Sequence, residues 1–260
     1  MPSRRAFVAA TLAGAALSAL PAGATAQGGG QSSARRRRIL VFDVNETMLD
    51  INALEPHFAR AFGDGQVLRE WFSTVLQYSN VATLAGPYSD FGAIAGAALD
   101  MVAAARRASL TPGDRDRILS GTRSLPPHPD VRPGLDQLRK GGFRLVTLTN
   151  SAPIAVAQQL KNAGLTDVFE RSFSVDTVKR FKPAPEPYRY LAQELGVGLG
   201  DLRMVAAHAW DIVGAIQAGC LGAFIARPGK VLYPLGPKPD IVAPDFQAAA
   251  KQILALDQPR

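Results

Sequence analysis

The chain has 260 residues, 47% of them apolar, with one cysteine, Cys220, and a formal net charge of +7. Residues 1 to 38 hold six arginines and no acid, so residues 39 to 260 carry only +1 and offer no electrostatic footprint for a nucleic acid. A lone cysteine excludes an intrachain disulfide, so stability must come from a hydrophobic core, which a body of this length can bury.

In chain order, Ser3-Arg4-Arg5-Ala6-Phe7 precedes a stretch rich in Ala, Leu, Val and Gly, and Ala24-Thr25-Ala26 offers a small-x-small cleavage site. Paired arginines ahead of a weakly apolar segment resemble a twin-arginine export signal, which predicts a leader over 1–26, cleavage after Ala26 and a periplasmic location. The apolar segment, about 15 residues, is shorter than the roughly 20 that span a bilayer. Nothing later approaches a span, so no stable membrane insertion is expected. Residues 27–38, rich in Gly, Gln and Ser and ending in Arg35 to Arg38, read as a flexible basic tail.

Residues 39–43 form the first predicted strand, and its β-branched and aromatic run delivers Asp43 to the carboxyl end of a sheet. Reactive groups of open α/β sheets gather there, and a carboxylate can attack an electrophile and hold it as an ester. Aspartate is also a common helix cap. Thr47, four residues on, is placed to orient Asp43.

Residues 52–129 have a different texture, Ala-, Leu- and aromatic-rich with helical spacing, and read as a helical insert that ends at Pro126-Pro127-His128-Pro129. Beyond it, strands at 143–149, 171–175, 203–207, 222–226 and 240–243 alternate with helices at 131–140, 152–163, 186–195 and 211–219. Gly141, Gly164, Gly196 and Gly219 read as helix stops. Alternating strands and helices predict an α/β parallel sheet covered by helices.

Four segments fall at successive strand ends: Asp43-Val44-Asn45-Glu46-Thr47, Leu148-Thr149-Asn150-Ser151, Phe181-Lys182-Pro183 and His208-Ala209-Trp210-Asp211. Together they resemble the haloacid dehalogenase superfamily. The resemblance implies a Rossmann-like core made of 39–51 and 130–260, with a helical cap, 52–129, inserted after the first strand. It makes Asp43 the nucleophile, oriented by Thr47. Lys182 relieves repulsion between Asp43 and an anionic substrate, and Asp211 fixes Lys182. Thr149 and Asn150 donate to the substrate carboxylate or the ester oxygens. Tyr188 reaches the same pocket, and Trp210 and Phe42 form its wall.

Two positions separate the chemistries of this superfamily. Phosphatases carry a second acid two residues after the nucleophile, where this chain has Asn45, and a metal-binding aspartate where it has Ala207. A methyl group cannot ligate magnesium. Phe-Asp-x-x-x-Thr, Thr-Asn, Lys-Pro and Ala-Trp-Asp instead resemble the type II 2-haloacid dehalogenases. That branch implies SN2 attack by Asp43 on the halogen-bearing carbon, then hydrolysis to a 2-hydroxy acid, with no cofactor and no metal. The partner so implied is a small halogenated carboxylic acid, and a homodimer through the cap stays open. The alternatives are a phosphatase of the same superfamily and a periplasmic binding relative without catalysis.

Two residues depart from that branch. Phe72 stands where its cap arginine would cradle halide, in the stretch from Trp71 to Tyr78. His208 stands where it carries asparagine, and an imidazole can take a proton from the hydrolytic water. A carboxylate should orient that imidazole, with Glu55 the first choice and Glu46 the second.

Overall fold

The computed structural model describes residues 38–257, so the expected leader and residues 27–37 of the expected tail lie outside the described residues. Six parallel strands, β1 (Ile39–Phe42), β2 (Arg144–Thr149), β3 (Arg171–Ser174), β4 (Leu202–Ala206), β5 (Leu221–Ile225) and β6 (Ile241–Ala243), form one sheet in the order β3-β2-β1-β4-β5-β6. The fold is α/β and Rossmann-like. The chain runs outward from β1 through β2 to β3, then crosses back to place β4 on the other flank of β1. That reversal makes β1 the switch point, where parallel neighbours diverge and leave a crevice at the carboxyl ends.

Side chains of β1 alternate between two cores. Leu40 and Phe42 face one layer and Ile39 and Val41 the other, and all four are buried, as expected of a parallel strand covered on both faces. On the first face lie α5 (Val131–Lys140), α6 (Pro153–Asn162) and α9 (Phe246–Asp257), where Phe42 stacks on Phe246 with ring centroids 5.5 Å apart. On the second lie α7 (Pro185–Leu195) and α8 (Ala209–Ala218). Gly196 and Gly219 close α7 and α8 in the left-handed conformation that glycine adopts without strain. Gly141 does not play that part: it remains right-handed, and Gly142 beside it takes the positive φ.

Between β1 and α5 the chain builds four helices, α1 (Glu55–Phe62), α2 (Val67–Leu84), α3 (Phe91–Ala105) and α4 (Pro112–Gly121). Trp71 pins α2 to α3 by donating its indole N–H to Ala95 O, 2.9 Å away, and packs on Phe58 of α1. The outgoing and returning chains are tied together, Asp50 N–H to Pro126 O and His128 N–H to Met48 O. These helices also grip the loop that carries Lys182. Thr83 Oγ1 accepts from Phe181 N–H, Tyr88 stacks on Phe181, and the Tyr88 hydroxyl donates to Asp176.

The expected tail needs one correction. Arg38 is docked, donating to Asp257 Oδ1 at 2.6 Å and to Gly200 O. The Asp257 carboxylate at the end of α9 is buried and draws two guanidiniums, Arg38 and the fully buried Arg203, because a buried charge must be paired.

One close approach sets the distance between α8 and the Lys182 loop. A Cβ on Gly214 would lie 2.5 Å from Pro183 Cβ and 2.6 Å from Pro183 O. Gly214→Ala should therefore lower stability by about 3 kcal/mol, a Tm drop of roughly 6–12 °C for a domain of this size. Gly200→Ala, where an added methyl meets nothing within 4 Å, should stay within about 0.5 kcal/mol. Paired thermal and urea denaturation of the two variants checks both values.

Candidate active site

Asp43 directly follows β1, and its N–H donates to Val205 O of β4. Its side chain is 6% exposed, and both of its oxygens are occupied by donors. Lys182 Nζ lies 3.0 Å from Oδ1, and Thr47 Oγ1 donates to Oδ2 at 2.7 Å. Thr47 Oγ1 in turn accepts from Ala207 N–H, which ties the β1 loop to the end of β4.

Lys182 is fully buried, and each of its three protons has an acceptor: Asp43 Oδ1, Leu148 O at 2.8 Å and Asp211 Oδ2 at 2.6 Å. Burial alone pulls its pKa down, but the charges of Asp211 and Asp43 outweigh it and hold the ammonium above the ordinary lysine value. The Lys182–Pro183 peptide is cis.

His208 ends the turn between β4 and α8 and lies flat against Trp210, with ring centroids 4.8 Å apart. Its Nδ1 is 3.0 Å from Asp43 Oδ2, and its Nε2 is 2.7 Å from Glu46 Oε2. Carboxylates only accept, so both ring nitrogens carry protons and the ring is an imidazolium. Burial opposes that charge, yet Asp43 and Glu46 raise the pKa to about 9. Asp43 shows the converse. Burial would raise its pKa, but Lys182 and His208 hold it well below the usual carboxylate range. In this state His208 has no lone pair with which to accept a proton from water.

The carboxylate expected to orient His208 is corrected from Glu55 to Glu46. Glu46 adopts a left-handed backbone, φ 60°, unusual for a non-glycine residue, and its side chain comes back over the strand ends, where Lys230 also pairs with it at 2.6 Å. Glu55 has moved on into the first turn of α1, where its backbone packs beside Gly65. The other expected residues divide by what they touch. Asn150 Oδ1 accepts from Lys182 N–H, and Thr149 Oγ1 accepts from Ser151 N–H. Asn45 links Ser151 Oγ to Gln159, which reaches Thr122 O in the cap. Tyr188, expected to reach the substrate pocket, is corrected to a support behind it, because it is 1% exposed and its hydroxyl donates to Asp211 Oδ1 at 2.7 Å.

Between cap and core lies a cavity of about 600 Å³, lined by Trp71, Phe72 and Phe91 of the cap and by Asn45 and Ser151 at the ends of β1 and β2. Its wall is mostly apolar but also carries two exposed charged residues, Asp90 before α3 and Arg123 after α4, and no carboxylate pairs with the Arg123 side chain among the described residues. No motif marks Arg123 in the sequence, so only the folded cap shows its position. Lys230 was equally hidden, in a Pro-Gly-Lys loop after β5.

Residues 38–219 match the haloacid dehalogenase-like hydrolase family, and the chain belongs to it. Within it, the chain is 30% identical to (S)-2-haloacid dehalogenase 1 of Pseudomonas sp. (strain CBS-3), over 76% of this chain and 86% of that protein. It is 28% identical to haloacetate dehalogenase H-2 of Moraxella sp. (strain B), over 80% and 94%. The solved structure of L-2-haloacid dehalogenase from Xanthobacter autotrophicus superposes with a TM-score of 0.79 at 25% identity, covering 85% of this chain and 99% of that one.

The residues present do not fit the magnesium site of the phosphatases in this superfamily. Both Asp43 oxygens face cations or a hydroxyl, and the second ligand position is the buried methyl of Ala207.

The His208 ion pairs predict a stability profile with a definite sign. Its pKa is raised in the folded state, so the contribution is fully present below the unfolded value near 6.5 and is lost as pH rises through about 9. Tm should fall between pH 7 and 10. Scanning calorimetry of His208→Asn across the same range should show a flatter slope.

Proposed function

We propose that the protein hydrolyses short 2-haloalkanoic acids to 2-hydroxy acids through an ester on Asp43. The observation that carries this reading is Asp43 itself: an ionised, nearly buried carboxylate at the switch point of the sheet, held by Lys182, Thr47 and His208, with Asn45 where a phosphatase would keep its acid. The relatives named for 2-haloacid or haloacetate dehalogenation support it.

Chemically, an Asp43 oxygen attacks C2 of the haloacid from the side opposite the halogen, and the carbon–halogen electron pair leaves as halide. Configuration inverts. Water then adds to Cγ of Asp43, and collapse of the tetrahedral species expels the 2-hydroxy acid and restores the carboxylate. Lys182 keeps Asp43 ionised and offsets the charge of the incoming acid. The hydroxyl proton of Thr149 and the amide nitrogen of Asn150 serve as donors to that acid. Apolar cap residues exclude bulk water, which strengthens these interactions. The missing cap arginine at Phe72 is compensated by Arg123, an exposed residue that contributes to the wall of the cavity between cap and core. Export by the twin-arginine-type leader places this activity in the periplasm, a reading that rests on Arg4, Arg5 and Ala24-Thr25-Ala26.

With 2-chloropropionate and no added metal, the wild type should release halide, and intact-mass analysis of quenched samples should show the Asp43 ester. Asp43→Asn should release none and form no adduct. If halide release survived in that variant, the covalent route would be wrong. Arg123→Gln should raise KM about tenfold with a smaller change in kcat, the loss of one charge-assisted contact of about 1.4 kcal/mol. A steady-state comparison of the two parameters measures it.

A further inference from the structure

The cavity between cap and core is larger than a short acid needs. Its volume of about 600 Å³ falls within the range of about 300–1,000 Å³ that encloses ligands of drug size. At about 30 Å³ per water it has room for on the order of twenty waters. 2-Chloropropionate, whose substituent at C2 is a single methyl group, fills a small part of it. The space is also graded in exposure. Trp71, Phe72, Phe91 and Leu125 are buried and line its apolar wall, whereas Arg123 and Ile154 are exposed and mark its open end.

The inner end of this space adjoins the groups that would hold the acid. Asn45, two residues after Asp43, donates its amide to Ser151 Oγ at 3.2 Å, and Ser151 N–H donates to Thr149 Oγ1. On the cap side, Phe91 meets Phe72 edge to face, with centroids 6.5 Å apart, and Phe181 at 6.1 Å. Phe181 immediately precedes Lys182. The aromatic wall therefore runs from the cap to the residue beside the lysine that pairs with Asp43. An arginine at position 72 would interrupt it with a charge that needs a partner, whereas Phe72 leaves it continuous.

We propose that this cavity binds the substituent at C2, and that it selects 2-haloacids carrying an alkyl chain of roughly butyl to hexyl length or a benzyl group over haloacetate and the 2-halopropionates. The inference rests on the aspartyl-ester reading above and extends its substrate range. With the carboxylate of the acid at Thr149 and Asn150 and C2 before Asp43, the cavity beside Asn45 and Ser151 is the apolar space into which a longer substituent runs. Binding then draws on removing that tail from water rather than on a cap charge, which Phe72 does not supply. A ring gains further from edge-to-face or offset contact with the aromatic side chains of the wall. The tail lies away from the breaking bond, so it is held equally well before and during displacement. Its effect therefore falls on KM more than on kcat.

Halide release by the purified protein is measured with 2-bromopropionate, 2-bromobutyrate, 2-bromohexanoate, 2-bromooctanoate and 2-bromo-3-phenylpropionate. Through the hexanoate, kcat/KM should rise about fourfold per added methylene, mainly through KM. The phenyl compound should exceed 2-bromopropionate by about tenfold or more. Ala155→Phe, which puts a ring into the cavity from α6, should lower the octanoate-to-propionate ratio of kcat/KM by about tenfold or more. Simple loss of folded protein would lower both values alike and leave that ratio unmoved. A wild-type series that is flat or falls beyond 2-bromopropionate, or an unchanged ratio in Ala155→Phe, overturns the inference and leaves the ester reading standing. The wild-type series stands as a test even if the variant fails to fold. Absence of halide from every acid, 2-bromopropionate included, would instead overturn the underlying ester reading, and this inference with it.

Discussion

Everything at the sheet's carboxyl edge follows from keeping one nearly buried carboxylate ionised. Taken from water without partners, Asp43 would pick up a proton and cease to be a nucleophile. Lys182 prevents this, but a buried ammonium is itself tolerable only with all three protons bound, which requires Asp211 and Leu148 O. Asp211 in turn needs Tyr188. The requirement spreads outward until it fixes backbone. Asn150 holds the Lys182 N–H, Thr83 of the cap holds the Phe181 N–H, and Gly214 lets α8 close on Pro183.

How much of this could be read in the sequence depended on the range of the interaction. Strand and helix positions follow local periodicity: the ten core elements given expected bounds begin and end within two residues of them, whereas α9 (Phe246–Asp257) had no expected counterpart and the cap helices no expected bounds. Asp43 could be picked out because it follows the first strand, whereas Lys182 and Asp211 were legible only through the resemblance of their motifs, since one lies in the loop before α7 and the other in the first turn of α8. Thr47 was accessible for a simpler reason, since it lies four residues from its partner.

The remainder depends on conformations that residue types do not announce. Glu46 reaches His208 only because its φ is positive, a choice glycine or asparagine would advertise and glutamate does not. Without it, Glu55 looks as suitable by spacing alone, although the chain has by then entered α1. Tyr188 faces inward rather than toward the cavity because the phase of α7 is set by Asp211, a contact across 23 residues. Arg38 looked like part of a solvated basic run until Asp257, at the far end of the chain, supplied a buried carboxylate.

A count of charge around Asp43 links the two departures from the dehalogenase pattern. Three carboxylates, Asp43, Glu46 and Asp211, alternate with three cations, Lys182, His208 and Lys230, so the resting cluster is neutral. An anionic acid entering beside it would leave an excess negative charge, and Phe72 offers nothing to offset it where the dehalogenase pattern has an arginine. Esterification then removes the charge of Asp43, and the departing halide carries its own away, so the cluster is left one positive charge in excess. Lys182 keeps Asp211 and Lys230 keeps Glu46, whereas His208 loses one of its two carboxylate partners.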